Sequence, residues 1–213
     1  MGFLPKMRAE VVQVEVGPMS NFSYVVADDD SKAAAVIDPS WDLEKIYAIL
    51  ESHKWQVKMI INTHNHFDHV LGNEQVAART DAPVIQYQQS IQKGNYISVS
   101  DGEPIKLGDI VIKVLHTPGH SKESICLVVN DEFILTGDTL FVGTCGRADL
   151  EGGDINEMYD SLYNKICLLD EKLIVYPGHN YGFTPWSTIA KEKENNPALR
   201  SGSREEFIEF MTS

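Results

Sequence analysis

Apolar positions follow two rhythms along this chain. Residues 11–16 alternate as Val11-Val12-Gln13-Val14-Glu15-Val16, residues 22–27 are apolar and β-branched, and residues 33–37 follow a polar turn over residues 28–32. This pattern predicts a strand meander that ends at Asp38-Pro39. Leu43, Ile46, Tyr47, Ile49 and Leu50 then recur at helical spacing, and Met59-Ile60-Ile61 reads as a short buried strand. A helix over residues 70–80 and a strand over residues 83–86 come next. Further strands are predicted at residues 110–115, 124–129 and 132–135, with Asn130-Asp131 as a tight hairpin connection. Residues 155–169 are predicted helical, with Ile155, Met158, Tyr159, Leu162 and Ile166 on one stripe, and residues 173–176 form the last strand. Helices close the chain at residues 186–195 and 204–211, the second opened by the capping-box-like Ser203-Arg204-Glu205-Glu206. Two strand-rich stretches, each followed by helices, predict an α/β (α+β) fold of two facing sheets with helices on both outer faces.

The length of 213 residues suits one domain over residues 1–213, without repeats, low-complexity tracts or a linker rich in Pro, Gly or Ser. With 18 Lys and Arg against 31 Asp and Glu, the net charge is -13, so the overall field repels nucleic acid while leaving room for a local contact to a small anion. Residues 1–16 lack the apolar run of a secretory signal, and no stretch approaches the ~20 apolar residues of a membrane span. Cys126, Cys145 and Cys167 are odd in number and scattered, as in a reducing compartment. A cytoplasmic protein without membrane or nucleic-acid partners is expected, of unknown oligomeric state. Cys126 and Cys167 sit in apolar surroundings and are expected to be buried. Cys145 has a loop address in Gly143-Thr144-Cys145-Gly146-Arg147.

The chemistry concentrates in Thr63-His64-Asn65-His66-Phe67-Asp68-His69, directly after the buried strand. His64 and His66, two apart in an extended turn, can point to the same side and bind one ion. Asp68 and His69 lie where a helix begins and can reach a second ion beside it. Three further candidates each follow a glycine at the exit of a predicted strand: His120 after Pro118-Gly119, Asp138 after Thr136-Gly137, and His179 after Pro177-Gly178. A sharp turn at each glycine would let the side chain point back over the sheet edge. Imidazole and carboxylate together suit zinc, with iron as the other fit. Lone histidines such as His53 and His116 read as surface or hydrogen-bonded residues, whereas four ionisable groups within six residues call for a cation between them.

Thr-His-x-His-x-Asp-His followed by Thr-Pro-Gly-His, Thr-Gly-Asp and Pro-Gly-His resembles the metallo-β-lactamase superfamily over nearly the whole chain. The resemblance implies a four-layer αββα sandwich with two divalent metal ions at one end. It implies that His64, His66 and His120 hold one metal, that Asp68, His69 and His179 hold the other, and that Asp138 bridges them. In such a site a hydroxide between the metals is the nucleophile, and Asp68 also orients the water. Asp38 reads as the anchor of a turn near the site.

Asp138 stands where the best-known zinc β-lactamases place Cys, and His66 where the diiron flavoproteins usually have Glu, which leaves the branch of glyoxalase II and the related persulfide dioxygenases. In glyoxalase II a basic residue at the position of Arg147 and a tyrosine at that of Tyr181 contact glutathione. Arg147 can also be read as a surface ion-pair partner of Asp149, Glu151 or Asp154. Asp149 replaces an aromatic residue common in glyoxalase II, and the short run Gly146-Arg147-Ala148-Asp149-Leu150 is similar to single-domain relatives including persulfide dioxygenases. The expected activity is hydrolysis of a small thioester such as a hydroxyacylglutathione. The alternatives are a mononuclear iron dioxygenase of glutathione persulfide, with ligands drawn from His64, His66, His120 and Asp138, and a catalytically silent binding module.

Overall fold

The computed structural model describes residues 9–88 and 95–213. The expectation for residues 1–8 lies outside them. Strands β1 (Glu10–Val16), β2 (Asn21–Asp28) and β3 (Ala33–Ile37) form the meander, followed by helix α1 (Leu43–His53) and strand β4 (Gln56–Ile61). Helices α2 (Phe67–Val70) and α3 (Asn73–Thr80) lead to strands β5 (Val84–Tyr87), β6 (Tyr96–Val99), β7 (Pro104–Leu107) and β8 (Ile110–His116). Next come β9 (Ile125–Val129), β10 (Phe133–Gly137), the small hairpin β11 (Leu140–Phe141) and β12 (Thr144–Cys145), and helix α4 (Ile155–Asn164). Strands β13 (Ile174–Pro177) and β14 (Ser187–Thr188) and helices α5 (Ile189–Asn195) and α6 (Arg204–Thr212) complete the order.

One sheet runs β1-β2-β3-β4-β5-β6 and the other β14-β13-β10-β9-β8-β7. Strands β2, β3, β9 and β10 are buried along their whole length because both of their faces are covered. In β2, Phe22, Tyr24 and Val26 point into the core between the sheets, while Val25 and Ala27 pack under α1 and α3. In β9, Ile125, Leu127 and Val129 face the same central core, while Cys126 and Val128 face the layer of α4, α5 and α6. The period-two alternation of side chains thus builds three apolar layers within an αββα sandwich. Among the described residues no helix is long and apolar enough to cross a membrane.

Several boundaries differ from the pattern-based expectation, each for a local reason. The helix expected over residues 70–80 is two helices broken at Leu71-Gly72, where the Gly72 N–H donates to Pro39 O at 2.9 Å. A Cβ on Gly72 would lie 2.8 Å from Leu43 Cδ2, so close packing against α1 fixes the break. The helix expected to reach residue 169 stops at Asn164, and a 3₁₀ turn covers Ile166–Leu168. Between them the Lys165 ammonium donates to His116 O at 2.6 Å and to Asp101 Oδ2 at 3.1 Å. At the start of the expected helix 186–195, Ser187 and Thr188 instead pair with β13. Strands β6 and β7 fell below the pattern's reach: each is a four-residue edge strand, one with exposed Ile97, the other opening on Pro104.

Other expectations match. Asn130 and Asp131 both have positive φ, 50° and 55°, as a two-residue hairpin of the primed type requires. Ser203 Oγ accepts the Glu206 N–H at 3.2 Å and caps α6. Cys126 is fully buried, and its thiol is pushed up to about 11 by burial. Cys167 is only half-buried, on a 3₁₀ turn at the surface whose next residue, Leu168, is 76% exposed. Cys145 is buried despite its loop address, its Sγ 3.4 Å from Met211 Sδ under α6.

The central layer makes a direct prediction about stability. Leu127 is fully buried between the sheets. Leu127→Ala is expected to cost about 2–5 kcal/mol, read as a lower urea midpoint with an unchanged slope.

Candidate metal centre

The site lies at the ends of four strands. His64, His66, Asp68 and His69 follow β4, His120 follows β8, Asp138 follows β10 and His179 follows β13. All are buried except His66, which is half-buried. Two groups of ligand atoms fall within 4.8 Å of one another: His64, His66 and His120 in one, and Asp68, His69 and His179 in the other. Asp138 stands against both, with Oδ2 3.5 Å from His120 Nε2 and 3.2 Å from His179 Nε2, and Oδ1 3.4 Å from His69 Nε2. Asp38, His64 and His69 form a third such group. The structure therefore brings all seven sequence candidates together.

The glycines before the ligands serve different ends. Gly137 has φ +48°, and a Cβ there would meet Thr63 Oγ1 at 2.5 Å, so both the turn and the packing exclude a side chain. Gly178 needs no left-handed turn. Its Cβ would fall 2.2 Å from Asp138 Oδ1, so its role is to let the Asp138 carboxylate lie over the backbone.

Hydrogen bonds at the outer nitrogens fix the rings of His64, His69, His120 and His179. The His69 Nδ1–H donates to Asp38 Oδ2 at 3.1 Å, the His120 Nδ1–H to Arg147 O at 2.8 Å, and the His179 Nδ1–H to Met19 O at 3.0 Å. Thr63 Oγ1 donates to Asp38 Oδ2 at 2.6 Å, which leaves it to accept the His64 Nδ1–H at 3.1 Å. With the outer nitrogens spent as donors, the inner Nε2 atoms carry lone pairs. In these tautomers His69 Nε2 and His179 Nε2 are 3.2 Å apart, lone pair against lone pair, while His120 Nε2 lies 2.8 Å from His66 Nδ1, whose N–H can donate to it. His64 Nε2 and Asp138 Oδ1 are buried with no hydrogen-bond partner. Facing lone pairs and unpartnered acceptors in a buried site fit cations and little else.

The same crowding shifts the protonation equilibria. Burial, reinforced by the neighbouring imidazoles, holds His64 well below the usual histidine range. Burial also opposes charge on His69, but the carboxylates of Asp138, Asp38 and Asp68 outweigh it and push His69 up to about 9. Burial would raise Asp138, yet the imidazoles of His69, His179 and His64 hold it far below the carboxylate range. Without a cation, the site attracts a proton to neutralise its carboxylates.

Three supports were not singled out in the sequence. Asn21 Nδ2 donates to Asp68 Oδ2 at 2.9 Å and to Asp68 O at 3.2 Å, which orients that carboxylate. Met19 supplies the carbonyl that holds His179. Asn62 exchanges amide hydrogen bonds with Asn73 beneath the His69 turn. A buried Asn at the start of an apolar strand was the only signal for Asn21, and a backbone acceptor such as Met19 O leaves none. Asp38 does anchor a turn: at φ 47° it also accepts the Thr63 N–H at 2.7 Å.

Above the ligands opens a cavity of about 700 Å³, lined by Met19, Phe67, Phe141, Arg147 and Tyr181 among others. The Tyr181 ring stacks on His179 with centroids 4.8 Å apart. The Arg147 guanidinium donates two hydrogen bonds to Asp149, from Nε to Oδ1 at 2.6 Å and from Nη2 to Oδ2 at 2.7 Å. The ion-pair reading of Arg147 is therefore realised while its backbone carbonyl holds His120. His53 stacks on Trp55 and His116 on Tyr87, away from the ligand groups.

The chain belongs to the metallo-beta-lactamase superfamily, which it matches over residues 16–179. It is 32% identical over 198 residues to the probable polyketide biosynthesis zinc-dependent hydrolase PksB of Bacillus subtilis, covering 91% of this chain and 88% of that protein. It is 38% identical over 168 residues to the cytoplasmic hydroxyacylglutathione hydrolase of Arabidopsis thaliana, covering 76% of this chain and 64% of that longer protein. Against the human mitochondrial persulfide dioxygenase ETHE1 it is 32% identical over 195 residues, covering 89% of this chain and 75% of the relative. The crystal structure of ETHE1 from Myxococcus xanthus superposes with a TM-score of 0.87 at 32% identity, covering 96% of this chain and 90% of that one. The His and Asp clusters are the metal-binding site of an enzyme superfamily.

Asp38 provides a test of how the site is held. Asp38→Asn places an amide N–H where Thr63 Oγ1 and His69 Nδ1 need an acceptor, which favours the His69 tautomer with its proton on the inner nitrogen. Metal affinity is expected to fall about 10–100-fold in competition with a chromophoric chelator, whereas unchanged affinity would contradict the support assigned to Asp38.

Proposed function

We propose that the protein is a metal-dependent hydrolase of a small thioester, resembling hydroxyacylglutathione hydrolases, with two divalent cations, zinc before iron. The observation that carries this reading is that both ligand groups are complete and Asp138 faces both. His64, His66 and His120 would hold one cation, Asp68, His69 and His179 the other, and Asp138 would bridge. Such a pair acidifies a water molecule and polarises a carbonyl, so no Ser or Cys nucleophile is needed. Cys145, the cysteine of the cavity wall, is a poor nucleophile in any case, its thiol pushed up to about 12 by burial.

The chain's own groups supply orientation and proton handling. Asp68 is held by Asn21 with one oxygen toward His69 and His179, at 3.6 and 3.5 Å, where it can orient the attacking water and take its proton. Hydrolysis adds the water oxygen to the thioester carbonyl carbon and breaks the C–S bond, and the thiol leaves with a proton. Arg147 and Tyr181 stand in the cavity wall as contacts for the thiol carrier. The free N–H groups of the Arg147 fork can take a carboxylate while Asp149 holds the other edge.

A second reading, a mononuclear iron dioxygenase of glutathione persulfide, rests on the likeness to the human persulfide dioxygenase. Assaying the metal-loaded protein with S-lactoylglutathione and, separately, for oxygen uptake with glutathione persulfide distinguishes the two. Thiol release without oxygen consumption is expected, and oxygen uptake without thioester cleavage would overturn the hydrolase reading. Arg147→Ala is expected to raise KM several-fold for a carboxylate-bearing carrier with kcat nearly unchanged.

A further inference from the structure

The cavity has two unlike sides. Near one ligand group stands the charged Arg147, whose carbonyl accepts the His120 Nδ1–H, and Glu151 also lines the cavity. Near the other stands Met19, whose carbonyl accepts the His179 Nδ1–H, and Phe67, next to Asp68 in the chain, also lines the cavity. Phe67 lies in the ligand motif between His66 and Asp68, yet its own side chain is 63% exposed. It is held edge-on against Trp41, with centroids 6.2 Å apart and planes at 88°. Trp41 in turn lies so close to the turn carrying Met19 that a Cβ on Gly17 would come within 2.1 Å of its ring. Met19 is 40% exposed, and its carbonyl holds His179, so its place relative to that ligand is fixed. An apolar lip is thus built onto the same backbone that orients the metal ligands.

Resting on the thioesterase reading, we infer that the Met19–Phe67 lip binds an apolar acyl group, so that the preferred substrates are thioesters of medium-length aliphatic or aryl acids rather than of short hydroxy acids. A thioester has two arms about its carbonyl. With the carbonyl at the ligands, an arm that reaches Arg147 places the other along Met19 and Phe67. A lactoyl group is too short to cover the lip. An alkyl or aryl chain removes that exposed surface from water, and its affinity grows with each methylene that does so. The occupant is argued from the continuity of the lip with the catalytic cavity and from the cavity's volume of about 700 Å³, which is of the size that holds a whole small-molecule ligand.

The test uses S-alkyl thioethers, which cannot be hydrolysed, from methyl to octyl on both glutathione and N-acetylcysteamine, with binding to the metal-loaded protein measured by calorimetry. On either carrier, Kd is expected to fall about twofold to fourfold per methylene over the first several carbons. Phe67→Ser and Met19→Ser are each expected to flatten that slope while leaving the S-methyl Kd within about twofold. Two variants are used because Phe67 adjoins two ligands, and metal content is checked for both. A flat series in the unaltered protein overturns the inference. So does a Phe67→Ser series parallel to that of the unaltered protein, including the case in which the variant instead changes the sedimentation of the protein because a second copy covers the lip. Should the chain-length slope hold while no thioester is cleaved, the hydrolase reading falls and the apolar site stands.

Discussion

Everything at the active end of this fold depends on one electrostatic constraint: several buried lone pairs point at one another across distances too short for neutral acceptors. His69 Nε2 and His179 Nε2 approach to 3.2 Å, Asp138 Oδ2 lies 3.2 Å from His179 Nε2, and His64 Nε2 and Asp138 Oδ1 are buried with no hydrogen-bond partner. Such an arrangement is repulsive until positive charge enters it. The surrounding structure is organised so that it cannot relax. Asp38, Thr63, Arg147 O and Met19 O each occupy an outer nitrogen or its relay and so forbid the ring flips that would dissipate the strain.

The sandwich explains why these groups are found together. Neither sheet alone supplies enough ligands: β4 in one carries His64, His66, Asp68 and His69, while β8, β10 and β13 in the other carry His120, Asp138 and His179. Burial of the inner faces of both sheets in one apolar layer brings the two sets of strand ends into register. Cross-links at the rim tighten it, including the Phe22 N–H donated to Gly178 O at 2.8 Å and the Asn180 N–H donated to Ser20 O at 2.8 Å. Packing energy in the middle of the molecule is thereby converted into ligand geometry at its end.

Much of this was legible in the residues themselves. Strands buried on both faces write themselves as unbroken apolar runs, so β2, β3, β9 and β10 were plain. The seven polar residues after strand exits, four of them in one short motif, marked the site. What stayed hidden was decided by distant packing. The break at Leu71-Gly72 comes from contact with Leu43 and Pro39, and the early end of α4 comes with a lysine that reaches back to β8. Met19 acts through a single carbonyl, for which a linear pattern holds no mark, and Asn21 through a single amide marked only by its place at the start of an apolar strand. Exposed Phe67 is a different case: inside a motif of polar ligands, a linear pattern does not tell a packed aromatic from a bare one.

The identity of the positive charge is the central claim, and anomalous diffraction from crystals of the protein purified without chelator tests it most directly. Two peaks per chain are expected, one bounded by His64, His66 and His120, the other by Asp68, His69 and His179, with Asp138 between them. A single peak, or two sets of imidazoles closed on each other by ordinary hydrogen bonds with no scatterer inside, would contradict it.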